Sequence, residues 1–416
     1  MASFTVRPFI LQKIGHTDSM NELLKDAKKI QAELVEYRRY LHQNAECGFA
    51  LNKTMPYIKE QLRGMGYTPK RCGKAGLIAE VGKGKKRVLL RADADGLPIR
   101  EESGLSYACT SGNMHACGHD LHAAMLLGAA KLLKARENTL NGCVRLLFQP
   151  AEEGLEGAKN CIEAGVLEGV DCAVMIHVLT ALEAPMVEVI VSSEGVSAPA
   201  ADYFSIEIKG KGCHGSSPWQ GVDPLVAAAH TLLGLQTLSA RELSSMQTAV
   251  LTIGSIKTGE AGNAISDTAT LCGTLRAFDE EVRSFMKKRI EEIAKSTAKA
   301  FRATARVQYG GGCPTLVNDG KLSRLAYEGL KDLLGNGVCT SNELGNARQN
   351  VGGSEDFAYI SHAVPSIMLA VAAGKKGEGF GYPLHHPKAK FDESALFLGA
   401  AVYTKAAQKI LAEQEK

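Results

Sequence analysis

Residues 114–122 read MHACGHDLH, and the chain continues as AAMLLGAAKLL at residues 123–133. The first nine of these residues hold a thiol, three imidazoles and a carboxylate. The apolar run that follows is typical of a buried helix, for which Asp120 is a candidate N-cap. Soft and borderline ligands next to a buried helix indicate a metal site at the edge of a hydrophobic core.

The chain of 416 residues exceeds the usual size of one domain, so two domains are expected. Its formal net charge is only +3, and the basic residues do not cluster. This charge pattern argues against nucleic acid or an anionic membrane as the main partner. No window reaches the run of about 18 apolar residues that a membrane span needs.

The eleven cysteines are scattered without a CxxC pair, and several lie within apolar runs. An odd number of cysteines without such pairs favours a reducing compartment over a disulfide framework. Residues 1–20 contain one short apolar patch, interrupted by Arg7 and Pro8, which differs from a secretory signal. We therefore expect a cytoplasmic protein.

Much of the chain alternates helices with short apolar strands. We expect helices over residues 21–43 and 53–65, and strands at residues 76–82, 87–92, 143–148, 172–176 and 365–371. Strands that are apolar on both faces predict an α/β fold with a mostly parallel sheet flanked by helices. Such sheets bind ligands at the carboxyl ends of their strands, where this chain has Asp93, Asp95, Glu152, Glu153 and His177.

The pattern changes near residue 199. Strands are predicted at residues 201–209, 247–256, 267–277 and 304–309, and helices at residues 224–240 and 279–301. The order β-α-β-β-α-β is that of a ferredoxin-like α+β unit, and the glycines at 310–312 are a candidate flexible return. We predict a domain of residues 199–312 inserted into a larger domain formed by residues 1–198 and 313–416.

Glu152 and Glu153 lie in PAEEG at residues 150–154, directly after a buried strand. In such a loop one carboxylate can bind a metal ion. Its neighbour can then take a proton from the activated water and deliver it to a leaving amine. The alternative is a pair of exposed acids at a strand end. A position beside the other candidate ligands favours metal-assisted hydrolysis.

Histidines elsewhere in the chain are further candidates. His177 ends an apolar strand, while His385 and His386 are neighbours on an extended segment, so at most one of that pair is expected to reach a shared site. His214 lies in a glycine-rich turn, where an imidazole can stabilise an oxyanion or hold a substrate carboxylate. His122 lies one turn into the helix and is expected to pack or to support a ligand.

Five ordered motifs are similar to those of the M20D branch of the M20 metallopeptidases, which contains aminoacylases, hippurate hydrolases and indole-acetyl-amino-acid hydrolases. They are RADADGLPI at residues 91–99, HACGHD at 115–120, PAEEG at 150–154, SEDF at 354–357 and LHHP at 384–387. The resemblance covers nearly the whole chain. It implies a catalytic domain that carries two divalent metal ions, with an inserted lid and dimerisation domain.

Carried over residue by residue, the resemblance implies the metal ligands Cys117, His119, Glu153, His177 and His385. It makes Glu152 the general base and Asp95 a supporting acid. On the inserted domain, the lid histidine that reaches the partner's active site in related dimers corresponds to His214. Asn263 and Arg276 match positions that hold the substrate carboxylate. One thiolate among imidazoles and carboxylates leaves Zn, Mn, Co and Ni open as the metal.

Three residues depart from the family pattern. Ser266 stands where the family usually has proline, His386 where it has serine, and Cys213 where it has glycine. The second departure leaves open which of the two neighbouring histidines binds metal. None of the three removes a ligand, so an active enzyme is expected.

The leading functional prediction is metal-dependent hydrolysis of the amide bond of N-acyl-L-amino acids, with Glu152 as general base and a homodimer formed through the lid. A dipeptidase, a carboxypeptidase or an N-acetyl-amino-acid deacetylase of the same fold is the alternative within this chemistry. A non-catalytic binding protein that has kept the fold is the alternative from another class. The complete ligand set and the intact Glu152 argue against a binding protein, and the acyl group stays open.

Overall fold

The computed structural model describes residues 21–183, 187–344 and 353–413. The interpretation of residues 1–20 as lacking a secretory signal lies outside the described residues. Strands and helices are numbered below in chain order. Two β-sheets dominate the described part of the chain, and each is covered by helices.

The larger sheet has eight strands: β1 (Lys70–Cys72), β2 (Gly76–Gly82), β3 (Arg87–Asp93), β4 (Cys143–Gln149), β5 (Cys172–Leu179), β6 (Val189–Val191), β15 (Val338–Thr340) and β16 (Ser366–Ala372). Their spatial order is β1-β2-β4-β3-β5-β16-β6-β15. The four neighbours β4, β3, β5 and β16 are parallel to one another, as β15 is to β6.

The pairs β1–β2, β2–β4 and β6–β16 are antiparallel. The prediction of an α/β fold is therefore confirmed, but the sheet is mixed rather than mostly parallel. Residues 83–86 join β2 to β3, and so short a turn cannot make the crossover that two parallel strands require. As a result β2 runs against β3 and β4.

Helices cover both faces of this sheet. One face packs on α1 (Glu22–Lys29), α2 (Gln31–Gln43), α3 (Thr54–Gly64), α4 (His119–Lys134), α8 (Gly320–Leu334) and α10 (Ala395–Ala412). The other face packs on the short helices α5 (Gly157–Glu163) and α9 (Ala358–Ser361). Neighbouring residues of β3 point into different cores, Leu90 into the first and Leu89 into the second, which is why the strand is apolar throughout.

The helix predicted over residues 21–43 is two helices, α1 and α2, separated at Ile30. The backbone N–H of Ile30 donates to Ala27 at 3.3 Å, a bond of the tighter helical turn, and its ψ of 3° leaves the α-helical range. Asn21 caps α1, since its side chain accepts from the backbone N–H of Leu23 at 2.9 Å. The apolar spacing continues across the break, so the sequence pattern does not reveal it.

The second sheet is antiparallel and contains β8 (Ala200–Lys209), β10 (Ala249–Thr258), β12 (Thr268–Ala277) and β13 (Thr304–Cys313) in the order β10-β12-β8-β13. Helices α6 (Pro224–Thr237) and α7 (Glu280–Ala300) pack on one face and close a core of their own. This is the predicted β-α-β-β-α-β succession, with the first strand between the third and the fourth. Helix α6 ends earlier than predicted and continues as a wider turn over Leu238–Glu242.

The glycines at 310–312 are part of strand β13 and not a flexible return, so that prediction was wrong. A bulge between Tyr309 and Gly312 lets the strand bend while Cys313 still pairs with Ala201. The hydroxyl of Tyr359 also donates to the carbonyl of Gly312. The chain passes between the two sheets through β7 (Gly195–Ala198) and β14 (Leu316–Asn318), which pair with each other.

Candidate metal centre

The candidate site lies at the carboxyl ends of three adjacent parallel strands, β4, β3 and β5, where the N-terminus of α4 meets them. Asp93 ends β3, Gln149 ends β4, and His177 lies near the end of β5. The carboxyl ends of parallel strands share one edge of the sheet, so residues distant in sequence come together there.

Gly118 shapes the start of α4. Its φ of 91° is left-handed, and an added Cβ would lie 2.4 Å from Cγ2 of Val178. This turn puts Cys117 before the helix and His119 in its first turn, with both side chains buried. The N-cap is Gly118, so the prediction that Asp120 caps the helix was wrong.

Asp120 is instead buried within α4 and pairs with residues of α2. Its Oδ2 atom lies 2.7 Å from Nε of Arg38 and 2.8 Å from Nδ1 of His42. The second ring nitrogen of His42 lies 3.0 Å from Glu101. The carboxylate therefore ties the helix that carries His119 to the helix behind it.

The two glutamates lie in a tight turn with left-handed backbone at Ala151 and Leu155, each with φ of 55°. Asp95 holds this turn from the neighbouring strand end. Its carboxylate accepts from the backbone N–H of Glu152 at 3.0 Å and of Glu153 at 3.3 Å. A non-glycine residue with left-handed backbone is uncommon and often marks a functional site.

The structure brings the five predicted metal ligands together: Cys117, His119, Glu153, His177 and His385. Cys117 Sγ lies 3.5 Å from His177 Nε2, and Glu153 Oε1 lies 3.9 Å from His119 Nε2 and 3.5 Å from His385 Nε2. The groups overlap through Cys117, which stands with His119 and His177 on one side and with Glu153 and His385 on the other.

Of the two neighbouring histidines, His385 faces this cluster. Its backbone has φ of 63°, and its N–H donates to the carbonyl of Ala116 at 2.9 Å. The ring of His386 stacks on Tyr382 at 4.4 Å, and its Nδ1 accepts from the backbone N–H of Lys388. Of the two histidines, His385 therefore lies in the ligand cluster and His386 does not.

Two atoms at the centre of the cluster, Nε2 of His119 and Oε1 of Glu153, are buried and have no hydrogen-bond partner among the described residues. The other ring nitrogen of His119, Nδ1, lies 2.8 Å from the carbonyl oxygen of Asp95, which turns Nε2 toward Glu152 and Glu153. Buried polar atoms are rarely left unpaired, so a cation between them fits the donor set.

The electrostatics of the cluster also fit a cation. Burial raises the pKa of the Cys117 thiol to about 12 and that of Glu153 to about 7. Burial lowers the pKa of His177 to about 3, which keeps its imidazole neutral. A bound metal ion would stabilise the Cys117 thiolate and the Glu153 carboxylate, which burial otherwise disfavours, and would bind the neutral imidazole of His177, which burial already favours.

Glu152 is buried beside the cluster. Its Oε1 accepts from the backbone N–H of Asp356 at 3.3 Å, and its Oε2 lies 3.9 Å from Nε2 of His119. Burial and the neighbouring Glu355 and Asp356 carboxylates raise its pKa well above the usual value. A carboxyl group with a raised pKa next to a metal site can accept and return a proton.

His122 supports the cluster from inside α4, as the sequence predicted. Its Nδ1 lies 2.6 Å from Oδ1 of Asp93, and its Nε2 accepts from the backbone N–H of Val178 at 2.8 Å. Sequence reasoning missed a buried network around Arg91, Gln149 and Asp356 behind Glu152. An arginine inside an apolar strand was the available signal, because such a charge requires partners.

The residues predicted on the inserted domain lie apart from this cluster. His214 is on β9 (Cys213–His214), which pairs with β11 (Ala264–Ile265) next to Asn263, and both side chains are exposed. Arg276 lies on β12 with its guanidinium 5.5 Å from the ring of Tyr203. Among the described residues, no hydrogen bond or ion pair links His214, Asn263 or Arg276 to the five predicted ligands.

Residues 89–409 match the family described as Peptidase family M20/M25/M40. The chain belongs to this family. It is accordingly a hydrolase that acts on amide bonds, and the predictions of the M20 family and of an enzyme are confirmed.

Three relatives that are similar to this chain are named for three different activities. An N-acetyl-L-cysteine deacetylase of Bacillus subtilis is 35% identical over 93% of this chain and 90% of its own length. An IAA-amino acid hydrolase of Arabidopsis thaliana is 35% identical over 91% of this chain and 86% of its own length. A thermostable carboxypeptidase of Saccharolobus solfataricus is 34% identical over 93% of this chain and 97% of its own length.

A solved structure from Bacillus subtilis, described as a dinuclear metal binding peptidase of the M20 family, superimposes with a TM-score of 0.76. It is 31% identical and is matched over 92% of this chain and 99% of that one. In the part of the chain that is described, no helix is long and apolar enough to cross a membrane.

Proposed function

We propose that this protein hydrolyses the amide bond of N-acyl-L-amino acids, with two divalent metal ions held by Cys117, His119, Glu153, His177 and His385. The observation that carries the proposal is the buried Glu152 carboxylate beside a cluster of five metal-type ligands. The unpaired atoms of His119 and Glu153 support the ligand assignment.

When bound, the two ions polarise the scissile carbonyl and lower the pKa of the attacking water. Glu152 accepts the proton of that water and returns it to the leaving nitrogen. Asp95 accepts from the backbone N–H groups of both glutamates and so fixes the turn. From this turn the Glu153 carboxylate lies beside His119 and His385, while the Glu152 carboxylate accepts from the backbone N–H of Asp356. One carboxylate can bind metal while its neighbour transfers a proton only if the two have different surroundings.

Residues 199–312, which contain the β9–β11 pair and all of the second sheet except Cys313, are proposed as an inserted lid and dimerisation domain between residues 1–198 and 313–416. In this role His214, Asn263 and Arg276 bind and orient the substrate. The exposure of His214 and Asn263 supports the proposal, because residues that serve a site after lid closure or dimer formation are free before it. The assembly expected is a homodimer in which His214 reaches the partner's active site.

The substrate class rests on the relatives whose names denote N-acetylcysteine deacetylation and hydrolysis of an amino-acid conjugate. The carboxypeptidase among the relatives favours cleavage of peptides as the second candidate. Both reactions split an amide next to a free carboxylate, so Arg276 would serve either. The cytoplasm is the proposed compartment, since all eleven cysteines are unpaired thiols.

The test combines metal analysis with a substrate panel. Purified protein should contain two divalent ions per chain and cleave N-acyl amino acids faster than dipeptides. Glu152→Gln should keep the metal but lose at least about 100-fold in kcat, which is the usual contribution of a general base. A metal-loaded protein that cleaves nothing on the panel, or a fully active Glu152→Gln, would refute the proposal.

A further inference from the structure

Arg91 is completely buried near the end of strand β3, directly behind the candidate catalytic residues. Its guanidinium contacts three carboxylates: Asp93 at 2.7 Å, Glu355 at 2.9 Å and Asp356 at 2.8 Å. Its Nε donates to Oε1 of Gln149 at 2.9 Å. So many partners on one buried arginine fix its position closely.

The Asp356 carboxylate is held from several sides. Besides Arg91, the side-chain amide of Gln149 donates to both of its oxygens, at 2.8 and 2.9 Å. The backbone N–H of Ala158 donates to Oδ2 at 2.8 Å. Because Asp356 is anchored in this way, its own backbone N–H has a fixed direction.

That N–H points at Glu152. It donates to Oε1 at 3.3 Å and leaves Oε2 on the side of His119. Glu152 also faces other acids, since its carboxylate lies with those of Glu355 and Asp356 in one tight group. The positive charge of Arg91 counters their repulsion, which would otherwise push the Glu152 side chain outward.

We propose that Arg91, Gln149 and Asp356 form a positioning clamp for Glu152. The clamp residues do not touch substrate; they hold the general base in the one orientation from which it can exchange a proton at the metal centre. This inference rests on the proposed function, in which Glu152 is the base. A general base displaced by even about 1 Å loses much of its effect on the rate, so weakening the clamp should lower kcat.

The test starts with Arg91→Lys, which keeps the charge but removes the planar fork, and Gln149→Asn, which keeps the amide but shortens its reach. Each variant should lower kcat by about 10- to 100-fold, the usual effect of a residue that orients an active-site group. Metal content and KM should change by less than about twofold, because the five ligands are untouched. Arg87→Lys on the same strand, where Arg87 pairs with Glu80 near the surface, is the matched control and should match the wild type.

A double-mutant cycle separates positioning from general damage. Arg91→Lys is combined with Glu152→Gln and assayed on an N-trifluoroacetyl amino acid, whose reactive carbonyl keeps the residual rate measurable. If the clamp acts through Glu152, Arg91→Lys should cause less than about a twofold further loss in that background. The same cycle with Gln149→Asn should give the same result. If Arg91→Lys does not fold, the Gln149→Asn cycle tests whether the clamp acts through Glu152.

If Arg91→Lys lowers kcat by the same factor in the wild-type and Glu152→Gln backgrounds, the clamp proposal is wrong, while the proposed function stays intact. Loss of metal or a large rise in KM in both clamp variants would also overturn the clamp proposal. Failure of the proposed function has a different signature, because Glu152→Gln would then keep the wild-type rate.

Discussion

Sγ of Cys117 lies 3.5 Å from Nε2 of His177, and this contact joins the residue before helix α4 to the strand end that faces it. Burial raises the pKa of the thiol to about 12, so the apoprotein keeps it protonated at neutral pH. A soft thiol and a neutral imidazole at this separation are suited to share one divalent ion.

Cys117→Ala should therefore lower metal occupancy by at least about 10-fold and abolish turnover, because it removes a ligand that both halves of the cluster share. Metal per chain is measured by mass spectrometry and folding by circular dichroism. Cys172→Ala, a buried thiol at the start of β5, is the control and should keep its metal. Full occupancy in Cys117→Ala would remove this residue from the ligand set.

Gly118→Ala should disrupt the centre through the backbone. The added Cβ would meet Val178 at 2.4 Å in a left-handed conformation, and the two effects together predict a loss of about 3 kcal/mol in the free energy of unfolding. Gly104→Ala is matched in backbone, with φ of 70°, but has open space around its Cβ. Denaturant unfolding should show a clearly smaller loss for Gly104→Ala, and equal losses would contradict the steric argument.

His42 predicts a pH dependence of stability. Burial opposes its charge, but Asp120 and Glu101 outweigh burial and raise the pKa of His42 to about 9. A folded-state pKa above the unfolded value of about 6.5 means that the folded state holds the proton more tightly. The stabilisation is therefore complete below pH 6.5 and falls as the pH rises through 9.

The free energy of unfolding should drop by as much as about 3 kcal/mol over that interval, as measured by urea unfolding at fixed metal concentration. Arg38, which also pairs with Asp120, stays charged over this interval, and burial lowers the pKa of the neighbouring His115 to about 4, so it stays neutral. His42→Gln should flatten the profile, while His230→Gln, at an exposed position of α6, should keep the wild-type slope. An unchanged slope in His42→Gln would show that another group titrates.

His214 and Glu152 should complement each other across a dimer. His214→Ala and Glu152→Gln chains carrying different affinity tags are co-expressed, and the mixed dimer is purified. If His214 serves the partner's site, that dimer has one complete site and should reach about half of the wild-type rate, while each homodimer stays nearly inactive. A mixed dimer without activity, or a monomeric protein, would contradict the proposed role of His214.

The larger part of the fold could be predicted because its strands are continuous apolar runs, as in Val88, Leu89 and Leu90. The predictions that were wrong concern features that depend on long-range strand pairing or on local backbone angles. The break at Ile30 leaves the apolar spacing intact, and Gly312 pairs with Asp202 of β8, a strand much earlier in the chain. The antiparallel direction of β2 follows from a short turn that a strand pattern does not express.

The site itself was predicted from residue types and motif order, and the structure brings those five ligand candidates together. The network around Arg91 could not be predicted in detail, because its members come from β3, β4 and the segment before α9. A single sequence indicates that a buried arginine needs partners, but not which carboxylates supply them.

The amino-acid sequence alone shows which chemical groups are available, namely a thiol, imidazoles and paired carboxylates after buried strands, and it shows the two patterns of alternating elements. How these groups face one another depends on the folded chain. The tertiary structure starts α4 at Gly118 rather than at a cap by Asp120, turns His385 and not His386 toward Glu153, and orients Glu152 through Asp356. The reason is physical, since ligand geometry depends on strand order and on backbone angles such as that of Gly118, which are fixed only when the whole chain packs.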